Sequence, residues 1–434
     1  MAAALLAGLW HRGTARATTT RLLLWTLAAT IAASAPALGQ QAEGDPSPAR
    51  SALYAAAGAV ITHYDVQVDP PALVKKASLT VPGVVQYAWP HPSHRFLYVV
   101  WSDGPSEHPN GLSAFRLDAS GSLHEHGAPV FLKARSIFLT TDIAGRHVLV
   151  AYNTPSSLSV HRLGGDGTIG AEVPQPPGLD AGIYAHQVRV HPSDGTVVLV
   201  ARGNMPTPKR AENPGSVKLL SYKDGVLSNR ASIAPAGGYG FQPRDVDFHP
   251  SGKWVFVSLE PQNQLQVYRQ SPDGLLETTP AFVKDSLPAP VRARAGFYQR
   301  SGAVHAHPNG RFVYQADRAT DETDGQGTSA WGGGTNAIGV FDVNQTTGEP
   351  TLIQTADTHG FVPRTFALDA SATILVAGNQ DRVEVRDSAA RAQSVPPSLA
   401  LFRVLPNGKL DYLRRYDVEG NADLFWMGIV PLPR

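Results

Sequence analysis

Gly240-Phe241-Gln242-Pro243-Arg244-Asp245-Val246-Asp247-Phe248-His249-Pro250-Ser251-Gly252-Lys253-Trp254-Val255-Phe256-Val257-Ser258-Leu259-Glu260 reads as one β-hairpin. Val246 and Phe248 alternate with Asp245 and Asp247, the period of a half-buried strand, and Trp254 to Leu259 is a short apolar run bounded by turn residues. His249-Pro250-Ser251-Gly252 is the turn. Folding the chain about Ser251 and Gly252 brings Arg244 beside Glu260, so a cation and a carboxylate meet at the end opposite the turn.

The same form recurs along the chain. Copies start at Tyr87 (Trp89-Pro90-His91-Pro92 into Phe96 to Val100), Ile137, His186 (His191-Pro192 into Val197 to Val200), Val304 (His307-Pro308 into Phe312 to Tyr314) and Arg364. With the opening copy they recur at intervals of roughly 50 to 60 residues, a spacing typical of propeller blades. Between hairpins lie third strands such as Leu112 to Leu117, Ser157 to Arg162, Val217 to Tyr222, Leu265 to Arg269 and Ala337 to Val343. Turns such as Ala119-Ser120-Gly121, Gly165-Asp166-Gly167 and Pro272-Asp273-Gly274 then lead into a short fourth strand. Four strands per repeat predict an all-β, seven-bladed β-propeller of four-stranded blades. Its seventh blade takes Leu53 to Ala56 and Val60 to Asp65 from the N-terminal side and Leu424 to Val430 from the C-terminal side, which closes the ring and removes its free edge.

Composition agrees with a globular chain and narrows its partners. The 434 residues are 42% hydrophobic and 17% charged, and 41 Gly with 35 Pro favour many short strands. A net charge of +1 gives no general attraction to nucleic acid or to a membrane surface. With 0 Cys there is no disulfide framework and no thiol chemistry. Residues 1–39 read as a signal peptide: Arg12, Arg16 and Arg21 precede an apolar run from Leu22, and Ala37-Leu38-Gly39 offers small residues for cleavage before Gln40. Residues 40–50 are a polar linker, and residues 51–434 are the propeller, expected to be periplasmic or secreted, with no membrane contact after cleavage.

Register gathers the candidate site residues. His186, Arg244, Glu260, Arg318, Arg364 and Asn379 all fall at the hairpin end away from the turn, which blade symmetry places on one face around the channel. The loops leaving that end are the long ones: Arg202 to Ser216 with Lys209 and Arg210, Lys284 to Arg300 with Arg292 and Arg294, and the Gly-rich Ala319 to Asn336, read as a lid. Positive charge over a channel suits a small anionic ligand. The turn histidines His91, His191, His249 and His307 lie at the other end and read as structural. No Gly-x-Ser-x-Gly or His-Glu-x-x-His occurs, which removes the serine and zinc hydrolase signatures and leaves general acid and base chemistry with electrostatic help.

At these residues the chain resembles the bacterial lactonase family of seven-bladed propellers, which includes propeller-type 6-phosphogluconolactonase and the fungal carboxymuconate lactonising enzyme. The resemblance rests on Ala-His-Gln-Val at His186, Gly-x-x-Pro-Arg at Arg244, the carboxylate Glu260 after the next strand, the run from His305 to Arg318, and Pro-Arg-x-Phe with Asn-Gln at Arg364, Phe366, Asn379 and Gln380. It implies His186 and Glu260 for proton transfer and Arg244 and Arg318 for the anionic substrate, with Arg364 and Asn379 beside them. It further implies metal-independent, cofactor-free hydrolysis of a sugar-type or carboxylated lactone, with a small anionic lactone as partner. Family members read Pro-Arg-His where this chain has Asp245, and an Asp-Leu-Gly pattern where it has Ala201-Arg202-Gly203-Asn204. Two other readings stand beside hydrolysis: an exported propeller that binds a ligand or partner without catalysis, and a lactonising or cycloisomerising enzyme acting on an unsaturated diacid. A calcium-dependent site is disfavoured because no cluster of Asp, Glu and Asn falls on the channel face. Oligomeric state is not legible.

Overall fold

The opening hairpin forms in the expected register. In the computed structural model, which describes residues 50–103, 109–288, 299–319, 333–386 and 391–432, strand Pro243–Phe248 pairs antiparallel with Trp254–Leu259, Val246 opposite Val257 and Phe248 opposite Val255. Every residue of Trp254–Leu259 is buried, because the strand has a neighbour on each face. Val255 and Val257 pack with Val198, Val200 and Leu219 of the preceding blade. Trp254 and Phe256 pack with Val304, Val313 and Phe341 of the following one. A strand covered on both faces must be apolar throughout, which is why the run at 254–259 lacks alternation.

Seven four-stranded assemblies of this kind form the ring. Their innermost strands are Val84–Pro90, Ser136–Thr141, Ala185–Val190, Pro243–Phe248, Gln299–Ala306, Pro363–Leu368 and Leu424–Pro431, which define blades 1 to 7 in that order. Blade 7 joins three N-terminal strands to the C-terminal one, with Ser51 opposite Pro431 and Ala55 opposite Met427. Two features were not anticipated. Blade 6 carries an inserted hairpin, Val383–Arg386 with Ala392–Val395, between its second and third strands, and blade 1 carries an extra two-residue strand, Val130–Phe131. The signal segment, the linker up to residue 49, Arg292, Arg294 and residues 320–332 of the expected lid lie outside the described residues.

Turns join the blades. The glycine between the third and fourth strands of one blade packs against the residue that opens the second strand of the blade before it: Gly167 on Phe96, Gly348 on Trp254, Gly408 on Phe312. Tyr98 and Tyr314 donate their hydroxyls to the carbonyls of Gly167 and Gly408, each at 3.0 Å. The His-Pro histidines sit at a second set of joints. The Ser251 N–H donates to Nδ1 of His249, so its Nε2–H is free to donate to the carbonyl of Gly310 in the next blade, at 2.9 Å. His91 reaches Gly145 and His307 reaches Ala372 in the same way. The His-Pro turn is thus both a turn and a rivet between blades.

Gly408 and Gly420 separate backbone strain from packing. Gly408 has φ +79°, and a Cβ there would lie 2.3 Å from Phe312, whereas Gly420 has φ +96° with nothing within 4 Å. Gly408→Ala is expected to destabilise by about 2–4 kcal/mol and Gly420→Ala by about 1 kcal/mol in urea denaturation. Equal costs for the two variants would refute the contact between blades 5 and 6.

Candidate active site

The inner strands bring charge to the channel by breaking their own ladders. In blade 4, Pro243 is opposite Leu259 and Asp245 opposite Ser258, so Arg244 is an extra residue, a β-bulge. Blade 1 bulges at Gln86, blade 2 at Ile137, blade 3 at His186, blade 6 at Arg364 and blade 7 at Phe425. Blade 5 places Gly302 and Ala303 opposite Ala316. A bulge turns a side chain out of the pleat, and here the same bulge, repeated around the ring, points five of the six bulged side chains at one space, all but Gln86.

That space is a cavity of about 340 Å³ lined by Ile137, His186, Arg244, Arg364 and Phe425 from the bulges. Arg135, Arg202, Arg300, Arg318, Glu260, Tyr184, Gln380 and Asp381 complete most of the wall. A larger cavity of about 500 Å³, under the inserted hairpin and lined by Asp357, His359 and Arg415, contains none of the bulged residues. The chemistry-bearing side chains converge on the smaller one.

Glu260 is the anionic centre of this wall. One oxygen accepts from Arg202 at 2.7 Å, the other accepts from Arg318, and Arg244 and Arg300 lie 3.8 and 3.9 Å from that second oxygen. Burial alone would raise the Glu260 pKa, but Arg318, Arg202 and Arg244 together hold its carboxyl well below the usual carboxylate range. The expected Arg244–Glu260 pair is present at 3.8 Å, but it is not the closest contact of either group. The bulge swings Arg244 onto Asp245, whose Oδ2 accepts at 2.8 Å, and Glu260 is held most closely by Arg202 and Arg318.

His186 lies behind this cluster. Burial and the neighbouring Arg244 lower its pKa to about 4 against the opposing pull of Asp245 and Glu260, so the ring is neutral at pH 7. Burial would raise the Asp245 carboxyl, but Arg244 and His186 hold it at about 2. Arg364 has no ion pair or hydrogen bond among the described residues, and its guanidinium rests on the Phe425 ring, 3.8 Å from the centroid. Burial and the nearby Arg244 and Arg318 bring its pKa down to about 9; it remains a cation that a bound anion would satisfy.

Of the six residues expected at this end, five line the cavity. Asn379 does not: it is fully buried behind it, donating to the Thr358 carbonyl at 3.0 Å and the Ser398 hydroxyl at 3.1 Å, and its neighbour Gln380 takes the place on the wall. Arg135, Arg202, Arg300, Tyr184 and Phe425 were not selected from sequence. Arg202 and Asp245 had a signal, as the two departures from the family pattern; Phe425 had none, since its bulge forms only against an N-terminal strand. No group of three or more metal-ligating side chains occurs among the described residues.

Fold and wall together define a seven-bladed propeller with an arginine-lined site in its channel. The sequence matches the family described as "Lactonase, 7-bladed beta-propeller" over residues 51–394, and the chain belongs to that family, a hydrolase of the lactonase type. It is 26% identical over 293 residues to the 6-phosphogluconolactonase of Bacillus subtilis (strain 168), an alignment covering 65% of this chain and 74% of that protein. It is also 26% identical over 347 residues to the 6-phosphogluconolactonase of Yersinia pestis (strain Pestoides F), covering 79% and 86%. The periplasmic gluconolactonase of Pseudomonas aeruginosa has the same fold, with a TM-score of 0.64 at 18% identity over 88% of this chain and 100% of that one.

Behind the wall, Asp317 is fully buried with Oδ1 accepting from Ser286 and Ser301, and burial raises its pKa to about 7. A raised carboxyl contributes stability below its unfolded value, and that contribution is lost as pH rises through about 7. Asp317→Asn is therefore expected to gain on wild type between pH 5 and pH 8 in thermal melts; a constant difference would show that Asp317 does not titrate there. Glu260 has the opposite sign. Its depressed pKa contributes stability above the ordinary glutamate value, lost as pH falls below it. Glu260→Gln, which leaves buried guanidiniums uncompensated, is expected to cost about 3 kcal/mol at pH 7. That gap should narrow below about pH 4.5, the ordinary glutamate value, and a gap that widens in acid would contradict the pairing.

Proposed function

We propose that the protein hydrolyses a sugar-type or carboxylated lactone in the channel cavity, as an exported, 6-phosphogluconolactonase-like enzyme. One observation carries this reading: a neutral imidazole and a guanidinium without a carboxylate partner face the same arginine-lined cavity. The names of the relatives support the reaction class, and the signal-like residues 1–39 support a periplasmic or secreted location. Among the described residues no helix is long and apolar enough to cross a membrane.

His186 takes a proton from water as the oxygen attacks the ring carbonyl. The oxyanion that forms lies among Arg244, Arg318 and Arg364, whose donors are oriented before substrate arrives. The bond from carbonyl carbon to ring oxygen then breaks, His186 returns its proton to that oxygen, and the open hydroxy acid loses its remaining acid proton to solvent and leaves as a carboxylate. Negative charge bound among the guanidiniums offsets the field that depresses His186, so the ring becomes more basic as the oxyanion develops. Glu260, already ionised and shared by its arginines, orients them. Arg364 on Phe425 holds the anionic substituent of the substrate.

Purified protein assayed on glucono-δ-lactone and its 6-phosphate tests this reading. His186→Ala is expected to lower kcat about 10²- to 10⁴-fold. Arg364→Ala is expected to raise KM for the phosphorylated lactone about 10-fold or more, with a smaller effect on the neutral one. For wild type, kcat/KM should fall as pH drops through about 4, where the free His186 ring becomes protonated. Wild-type turnover by His186→Ala, on both lactones, would sink the proposal.

A further inference from the structure

The cavity histidine and the scaffold histidines differ in what faces their Nδ1 atoms. At His91, His249 and His307 a backbone N–H two residues on donates to Nδ1, at 3.0, 3.1 and 3.1 Å, so each neutral ring has its proton on Nε2. Those Nε2–H groups donate to carbonyls of the next blade. His186 has no backbone donor at Nδ1. The polar atom facing it is Oδ1 of Asp245, 3.4 Å away at ion-pair distance, and both atoms are buried with no hydrogen-bond partner of their own. A carboxylate accepts and does not donate, so the proton it favours on a neutral ring is the one on Nδ1. Nε2 is the nitrogen left to the cavity.

We infer that Asp245 is a positioning residue for the reaction proposed above: its carboxylate holds His186 as the Nδ1–H tautomer and so presents the Nε2 lone pair to the attacking water. The bulge makes this possible. Arg244 takes the extra position, and Asp245 resumes the regular pleat, opposite Ser258, with its side chain directed inward beneath the cavity. Its other oxygen is held by Arg244 at 2.8 Å, which fixes the rotation of the carboxylate and leaves Oδ1 for the imidazole. Two side chains that the substrate site needs, the cation and the base, are thereby oriented by one buried anion. Besides the arginines of the wall, Tyr87, Tyr184, Glu260, His305 and Asp381 are the other ionisable groups that share cavity walls with His186. None of them has an acceptor hydrogen-bonded to Nδ1.

The inference rests on the lactonase reading for its consequence but not for its geometry, and one set of variants separates the two. Full-length protein labelled with ¹⁵N-histidine carries 15 imidazoles, and His186→Ala identifies the signal of interest by its loss. In wild type His186 should show the Nδ1–H pattern, against Nε2–H for His91, His249 and His307. Asp245→Asn can donate from its amide to Nδ1, so the His186 signal should move to Nε2–H. In the same variant kcat should fall about 100-fold, with KM changed less than about threefold. An unchanged tautomer, or an unchanged kcat, in Asp245→Asn overturns the inference. If that variant does not fold, the wild-type spectrum decides alone, because an Nε2–H ring at His186 overturns it equally. Wild-type turnover by His186→Ala strikes the proposed function instead, while the spectra still report whether Asp245 sets the ring.

Discussion

Burial of the blade strands on both faces is the constraint from which the rest follows. Second strands such as Trp254–Leu259 and Thr196–Ala201 are buried along their whole length between neighbouring blades and have no position for a charge. Polar chemistry is concentrated on the inner strands and at the channel ends of the second strands, where Arg202, Glu260, Asp317 and Arg318 lie. Even there a regular pleat would alternate side chains between the channel and the adjacent blade. A single bulge at the same level of each inner strand breaks that alternation and opens one cavity onto residues from most of the ring.

The electrostatics of the cavity follow from this crowding. Six arginines line a wall whose chain carries a net charge of +1, so the positive field is local. Glu260 offsets part of it, and its carboxyl is shared by Arg202 and Arg318 with Arg244 and Arg300 close by. Asp245 offsets another part through Arg244. Arg364 is left against an aromatic ring, with no carboxylate among the described residues. Burial first, and then the Arg244 charge of this same field, keeps His186 neutral.

The inter-blade joints show how one motif serves the scaffold while its other end serves the site. At the turn end, His249 hydrogen-bonds Gly310 and Gly408 packs on Phe312, contacts that tie each blade to the next. At the channel end the same hairpin carries Arg244 and Glu260. Because the joints lie far along the strand from the cavity, the channel residues vary from blade to blade without loosening the ring: Gln86, Ile137, His186, Arg244, Arg364 and Phe425 occupy equivalent bulges.

Periodicity and turn chemistry in the sequence were enough for the ring, its four-stranded blades, the closure of blade 7 and the gathering of His186, Arg244, Glu260, Arg318 and Arg364 at one end, because a strand period of two and a repeat of fixed length are local properties. Asn379 was misplaced, since being at the correct end of a strand does not say whether a side chain faces the channel or the next blade. The inserted hairpin of blade 6 was missed because its short strands pair only with each other. Which arginine holds which carboxylate was also decided only in three dimensions. Arg202 and Arg318 are each 58 residues from Glu260 along the chain, and at the bulge, a one-residue change of register, Arg244 makes its closest contact with Asp245 while staying 3.8 Å from Glu260. Sequence alone brought His186, Arg244, Glu260, Arg318 and Arg364 to the channel end; tertiary structure added the rest of the wall and decided which groups touch, because ion pairing between blades depends on angstrom-level placement that no periodic pattern encodes.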